Sequence, residues 1–256
     1  MATNDSTSKT IIVALLLSLF CAVVVSTAAV VLKPVQEENK LLDKRKNILS
    51  VAGLLTPDVD VDAAFTHIQT RYVELSTGDY VEEPTNYNQR KAAKDPALST
   101  RIPADVDVAN IRRKANVAEV YLVMNDQGEF QTLILPVHGY GLWSTMYGFI
   151  ALDADLETVA GFGFYDQGET PGLGGEVDNP KWKALWVGKK VYAENGTVEL
   201  RVIKGLVNPA SSQAAYEIDG LAGATLTSDG VSNLIKFWMG QYGFEPYLAK
   251  LKAAGV

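Results

Sequence analysis

The chain reads as an α+β protein: an N-terminal transmembrane helix followed by a single domain built on an antiparallel sheet with flanking helices. Three observations predict this. Residues 11–32 run for 22 positions without a charged side chain. Two pairs of Val-, Ile- and Leu-rich segments follow, each pair closed by a short polar turn, the pattern of β-hairpins. Helical spacing then returns towards the C-terminal end. Hairpins with helices gathered to one side favour an α+β architecture over a doubly wound sheet.

Residues 1–10 form a short N-terminal tail. The apolar run 11–32, flanked by Lys9 and Lys33, makes a helix of roughly 30 Å, the thickness of a bilayer's hydrocarbon core. A secretory signal has a shorter apolar core, so the run reads as an uncleaved anchor, although Ser26-Thr27-Ala28-Ala29 supplies small residues near its end. Bulky Phe20 before Cys21 argues against a lipoprotein site. With Ser18, Ser26 and Thr27 as its polar groups and no Asp, Glu, Lys, Arg or His, the span is an anchor or packing element; ion paths through membranes need ionisable or carbonyl ligands.

Residues 33–58 continue as a helical stalk. Leu41, Leu42, Ile48, Leu49 and Ala52 recur at helical spacing, with Gly53 as a stop. Lys44, Arg45 and Lys46 form a solvated or headgroup-facing patch. Residues 59–256 make the remaining domain. From Asp79 to Asn116 the chain is polar and holds Pro84, Pro96 and Pro103, an excursion with little regular structure. Glu119–Val123 and Phe130–Val137 form one hairpin around Asn125-Asp126-Gln127-Gly128. Met146–Leu152 and Val159–Tyr165 form another around Asp153-Ala154-Asp155. A short helix at Lys181–Val187 carries Trp182 and Trp186. Strands are expected at Val198–Ile203 and Ala215–Ile218, and helices at Ser228–Met239 and Phe244–Ala253.

A net charge of −7 and the lack of a dense basic run exclude a nucleic-acid surface. One cysteine permits neither an internal disulfide nor a thiolate cluster. His67 and His138 have no neighbours at metal-ligand spacing, which argues against a structural metal.

Three clusters carry chemistry. In Asp219–Ser228 a hydroxyl, Thr225, follows the small residues Gly223 and Ala224 and precedes a helical pattern. Small residues admit a bulky group, and a helix N-terminus offers N–H groups to an anion such as phosphate. The plainer reading is a turn in which Thr225, Thr227 or Ser228 caps the helix. In Gln167–Glu176, four glycines and a proline in ten residues fix a tight exposed loop holding Glu169, Thr170, Gly172, Leu173 and Gly174. Its glycines suit close approach to a planar ligand, with Leu173 against a ring face; the alternative is an ordinary glycine-rich turn. The spacing is not that of a dinucleotide fingerprint. In His138–Ser144, Tyr140 and Trp143 are placed to flank an aromatic cofactor and Ser144 to bond its polar edge, or both aromatics are core or rim residues. His138 has no nucleophile close by in sequence. Lys204, shortly before the threonine cluster, is a surface lysine or a cation for a phosphate or an anionic ring.

Together these segments resemble the C component of the sodium-translocating NADH:quinone oxidoreductase of bacterial membranes. The likeness runs through the N-terminal span, Gly141-Leu142-Trp143-Ser144, Gln167 to Val177, Trp186-Val187-Gly188-Lys189-Lys190 and Asp219 to Ser228. It continues through Phe237-Trp238 and Tyr247-Leu248-Ala249-Lys250. The resemblance implies an FMN-binding domain whose FMN is a phosphoester on Thr225, moved there from FAD by a separate flavin transferase that reads a motif including Asp219. It implies relay of single electrons within the complex, other subunits as partners, and a single-pass protein of the inner membrane with a periplasmic domain. The lysines and arginines after the span outnumber Lys9 before it, and that rule favours the cytoplasmic side. The family has Ser or Thr where this chain has Ala222, which bears on recognition by the transferase. The G component of the ferredoxin-dependent ion-pumping complex shares the threonine motif, and a stand-alone membrane-anchored FMN reductase is a further alternative. No catalytic residue and no metal are implied for the chain itself.

Overall fold

The computed structural model describes residues 6–125 and 127–255. Residues 1–5 of the tail, and Asp126 of the first hairpin turn, lie outside the described residues. The chain divides into two units, Met1–Lys44 and Arg45–Val256. In the first, helix α1 (Thr7–Val51, which ends in the second unit) starts ahead of the apolar run and passes through Pro34 without a break. The apolar side chains from Ile11 to Leu32 are exposed. Among the described residues this is one helix long and apolar enough to cross a membrane. Ser26 donates to the Ala22 carbonyl, which satisfies its hydroxyl within the helix.

The second unit is organised by six antiparallel strands in the order β2-β1-β5-β6-β7-β8. These are β1 (Ile68–Glu74), β2 (Asp79–Val81), β5 (Val117–Met124), β6 (Phe130–Tyr140), β7 (Thr145–Asp153) and β8 (Val159–Asp166). The expected hairpins β5–β6 and β7–β8 are present, and β6 also pairs with β7 from Thr132↔Asp153 to Tyr140↔Thr145. Residues 141–144 are therefore the turn of the central hairpin, closed by the Gly141 N–H on the Ser144 carbonyl at 2.8 Å.

The excursion at 79–116 is more regular than its composition suggests. Besides β2 it holds helix α3 (Gln89–Ala92) and the paired strands β3 (Ser99–Arg101) and β4 (Arg113–Ala115). Two further elements, helix α2 (Val61–Phe65) and β1, also stand where no element was expected. Helix α4 (Pro180–Ala184) is shorter than expected, as are β9 (Arg201–Val202) and β10 (Glu217–Ile218), which pair in parallel. Helix α5 (Thr225–Trp238) starts three residues earlier than its apolar spacing indicates, and α6 (Glu245–Ala254) closes the chain.

Alternate residues of the central strands bury opposite faces. On one face Tyr121, Val123, Ile134, Phe149 and Ala151 pack with Ile48, Leu49 and Val51, the last turns of α1. The close approach there requires Gly161, where a Cβ would lie 2.1 Å from the Val51 carbonyl oxygen. On the other face Leu133, Leu135 and Val137 meet Val231, Leu234, Ile235 and Trp238 of α5, with Trp182, Trp186 and Leu248 in the same core. Each fully buried Leu or Ile contributes roughly 1.5–3 kcal/mol. These contacts fix the body of α5 against β6 and present its first turn at the end of the sheet that carries the 141–144 turn.

Candidate functional site

Three segments converge at that end: the 141–144 turn, the glycine loop after β8, and the first turn of α5. Glu169 joins them. Its side chain is 5% exposed, and its carboxylate accepts five hydrogen bonds. Oε1 receives the N–H groups of Trp143 and Ser144 at 3.0 and 3.1 Å and the Ser144 hydroxyl at 3.4 Å. Oε2 receives the Leu142 N–H at 3.1 Å and the Thr227 hydroxyl at 2.7 Å. Consecutive backbone N–H groups turned towards one anion form a nest. Burial raises the pKa of this carboxyl, but the bonds from Thr227 and the three N–H groups outweigh it and hold the group below the usual glutamate value.

This carboxylate accounts for two of the glycines. A Cβ at Gly141 would lie 2.6 Å from Glu169 Oε1, and one at Gly174 would lie 2.5 Å from Thr227 Oγ1. They make room for Glu169 and Thr227; for Gly174 the sequence suggested room for a planar ligand. Gly172 and Gly223 both have positive φ, 75° and 71°. A Cβ at Gly223 would come 3.0 Å from Leu173 Cδ2, so Leu173 stands beside the threonine cluster. The Thr170 carbonyl accepts from Leu173 and Gly175 and folds the loop on itself.

The three hydroxyls at the start of α5 differ in access. Thr227 is fully buried on Glu169, and Ser228, 4% exposed, accepts the Leu221 N–H at 3.2 Å. Thr225 is exposed in the first turn. Ala224 holds the N-cap position, and no side chain caps the helix, so the capping role considered for Thr225, Thr227 and Ser228 does not occur. An uncapped first turn leaves N–H groups for an external anion.

The three converging segments carry exposed apolar side chains. Trp143 is 65% exposed, Leu226 59%, Leu173 44% and Tyr140 40%. The Tyr140 hydroxyl donates to the Trp143 carbonyl at 3.3 Å, within the turn. The Tyr140 N–H donates to the Ala109 carbonyl at 2.9 Å, so the excursion buttresses this strand end. Ser144 is committed internally: its hydroxyl accepts the Gly168 N–H at 2.7 Å and faces Glu169. Asp219 is half-buried; Oδ1 accepts the Val207 N–H and its carbonyl accepts Trp182 Nε1–H, both at 2.8 Å. It ties the loop carrying exposed Lys204 to the threonine segment, and the Gly220 N–H on the Gly205 carbonyl adds a second tie.

His138 lies away from this chemistry. It stacks on Tyr147 with ring centroids 5.3 Å apart and packs on Trp238 at 4.8 Å. Burial, aided by the nearby Arg90 charge, lowers its pKa to about 4, so it is neutral. Sequence reasoning passed over Thr227 as the partner of Glu169, and exposed Leu226. Leu226 was detectable as a leucine out of phase with the buried Thr227, Val231, Leu234 and Ile235 of its own helix.

Residues 141–240 match the FMN-binding domain family. The C component of the Na(+)-translocating NADH-quinone reductase of Pseudomonas aeruginosa is 55% identical over 258 residues, covering 98% of this chain and 98% of that protein. Its counterpart from Vibrio vulnificus is 49% identical over the full length of both. Among solved structures, Shewanella oneidensis NqrC aligns with a TM-score of 0.79 at 31% identity, covering 84% of this chain and 99% of that one. Likeness of this extent in sequence and fold places the chain in the family of NqrC, the C component of the Na(+)-translocating NADH-quinone reductase.

Proposed function

We propose that this chain is the redox subunit that carries FMN as a phosphoester on Thr225 and relays single electrons between neighbouring centres of a sodium-translocating NADH:quinone oxidoreductase. The observation that carries the proposal is the exposed Thr225 in an uncapped first turn, which Glu169 links through Thr227 to the hairpin turn that carries exposed Trp143, with exposed Leu173 and Leu226 at the same end. A phosphate-bearing planar cofactor fits this set of groups. Gly223 and Ala224 leave the backbone open to the phosphate, and Lys204 adds an exposed positive charge on the adjoining loop. Trp143, Tyr140 and Leu173 offer apolar faces to a ring, while Thr170 and Gly172 shape the loop edge. Glu169, Gly174, Ser144 and Asp219 support the site from within.

Bound FMN supplies the electron-transfer chemistry; the chain supplies retention, orientation and electrostatics. A threonine hydroxyl is a weak nucleophile. A separate flavin transferase is therefore inferred to activate it: the Thr225 oxygen–phosphorus bond forms as the phosphoanhydride of FAD breaks and AMP leaves. Attachment through phosphate leaves the redox-active ring unmodified. The relatives that support this reading are C components of the NADH-quinone reductase. They favour that complex over its ferredoxin-dependent counterpart and over a stand-alone reductase, and they give the chain the other subunits as partners.

The proposal places α1 in the inner membrane and the second unit in the periplasm. That side is opposite to the one the lysine and arginine count favours, and it follows the family resemblance.

Intact mass of the full chain co-expressed with a flavin transferase tests the assignment. The expected gain is one FMN less one water, mapped to the peptide containing Thr225. Thr225→Ala is expected to abolish the gain while changing stability by less than about 0.5 kcal/mol, as for other exposed positions. Flavin retained covalently by that variant would refute the attachment site, and an unmodified wild-type chain would point to Ala222 as a block.

A further inference from the structure

We propose that Glu169 is the positioning residue of the flavin site. Its buried carboxylate clasps the 141–144 turn to the first turn of α5 and so sets where Trp143 and Leu173 stand relative to the Thr225 hydroxyl. The inference rests on FMN being carried at Thr225.

The clasp draws its donors from segments far apart in sequence. Leu142, Trp143 and Ser144 come from the hairpin turn, and Thr227 comes from α5, two residues beyond the attachment point. Glu169 itself sits four residues before Leu173, on the loop that supplies the third wall. The body of α5 does not need this link, because Val231, Leu234 and Ile235 hold it on the sheet. Its first turn is another matter: there Thr225 and Leu226 are exposed, and the Thr227 hydroxyl on Glu169 is a side-chain tie from that turn to the glycine loop.

The glycines fit this role. Side chains at Gly141 and Gly174 would collide with the carboxylate or with Thr227 Oγ1, so the sequence around the site is shaped to the clasp. The charge is also unusual. Among the described residues no lysine, arginine or histidine pairs with Glu169. Backbone dipoles and hydroxyls alone stabilise it, so a full negative charge remains beside the site. A fixed negative charge opposes the arrival of an electron nearby and lowers the potential of the group that receives it.

Two near-isosteric changes separate position from charge. Glu169→Gln keeps an acceptor for Trp143 and Ser144, removes the charge, and turns an amide against the Leu142 N–H. Thr227→Val removes the tie to α5 and leaves the charge with its other four donors. The full chain is co-expressed with flavin transferase and followed by intact mass, visible circular dichroism of the flavin and redox titration. Both variants are expected to take up flavin about tenfold more slowly than wild type, the size of effect given by one lost bond to a charged group. Both should show a weakened visible dichroism band, and the midpoint potential should rise in Glu169→Gln more than in Thr227→Val. Should Glu169→Gln fold poorly, Thr227→Val carries the test of position alone. Lowered thermal stability with unchanged uptake, dichroism and potential would reduce Glu169 to a structural residue and overturn the proposal. A wild-type chain without adduct is a different failure, that of attachment at Thr225, and the inference would fall with it.

Discussion

His138 shows how far a single residue's meaning depends on surroundings that sequence does not display. Beside Tyr140 and Trp143 it has the look of a site residue, yet it is half-buried in a stack between Tyr147 and Trp238 and kept neutral. The consequence is measurable. Its pKa is about 4 in the folded chain against an ordinary 6.5. As pH falls through that window the unfolded chain takes up a proton that the folded chain refuses, so stability is lost on acidification and the loss is complete near pH 4. His138→Phe keeps an aromatic ring in the stack but cannot titrate. The stability advantage of wild type over this variant, from urea unfolding at several pH values, should shrink by up to roughly 3 kcal/mol between pH 6.5 and 4. A constant difference across that range would show that the imidazole ionises freely. That a helix begins just after Gly223 and Ala224 was legible, because small residues followed by helical spacing form a local pattern. The roles of Glu169, Ser144 and Asp219 were not, since each is defined by a partner brought in by the fold.

At the scale of elements, the strands that could be read were those buried on both faces, such as β6 and β7. Strand β1 escaped because it lies beside the short edge strand β2 and buries only Ile68 and Val73, one on each core; Arg71 and Glu74 between and after them obscure the alternation. The central hairpin also went unread, although both its strands were expected, because 141–144 was read for its aromatic residues and not as a turn. What brings α5 onto this turn is Gly230, where a Cβ would lie 2.6 Å from the Tyr140 carbonyl oxygen and 3.0 Å from Gly141 Cα. Gly230→Ala should improve helix propensity slightly but force the helix away from the strand end. A net loss of about 1–3 kcal/mol in urea unfolding is expected, together with slower flavin uptake. The neighbouring exposed Asp229→Ala should change stability by no more than about 0.5 kcal/mol. Equal stability of Gly230→Ala and wild type would mean that the helix and strand do not need this contact.

For the whole molecule, the question is where the folded domain begins. Composition suggests a stalk up to residue 58, but Ile48, Leu49 and Val51 are almost completely buried against Tyr121, Ile134 and Phe149. The second unit accordingly starts at Arg45, and Arg45 itself pairs with Asp62 and lies 5.2 Å from the Phe65 ring centroid. The end of α1 is thus one of the layers that cover the sheet, and a sheet with one bare apolar face is prone to association. We expect a chain starting at Arg45 to unfold cooperatively and remain monomeric. A chain starting at Leu54 loses three buried side chains, each contributing roughly 1.5–3 kcal/mol, and exposes the rings of Tyr121 and Phe149. Its stability should fall by several kcal/mol and it should self-associate in sedimentation. Matching unfolding curves for the two truncations would show that the helix end is only a tether. A large difference would make the last turns of the membrane-proximal helix part of the scaffold that holds the hairpin turn, Glu169 and Thr225 in register.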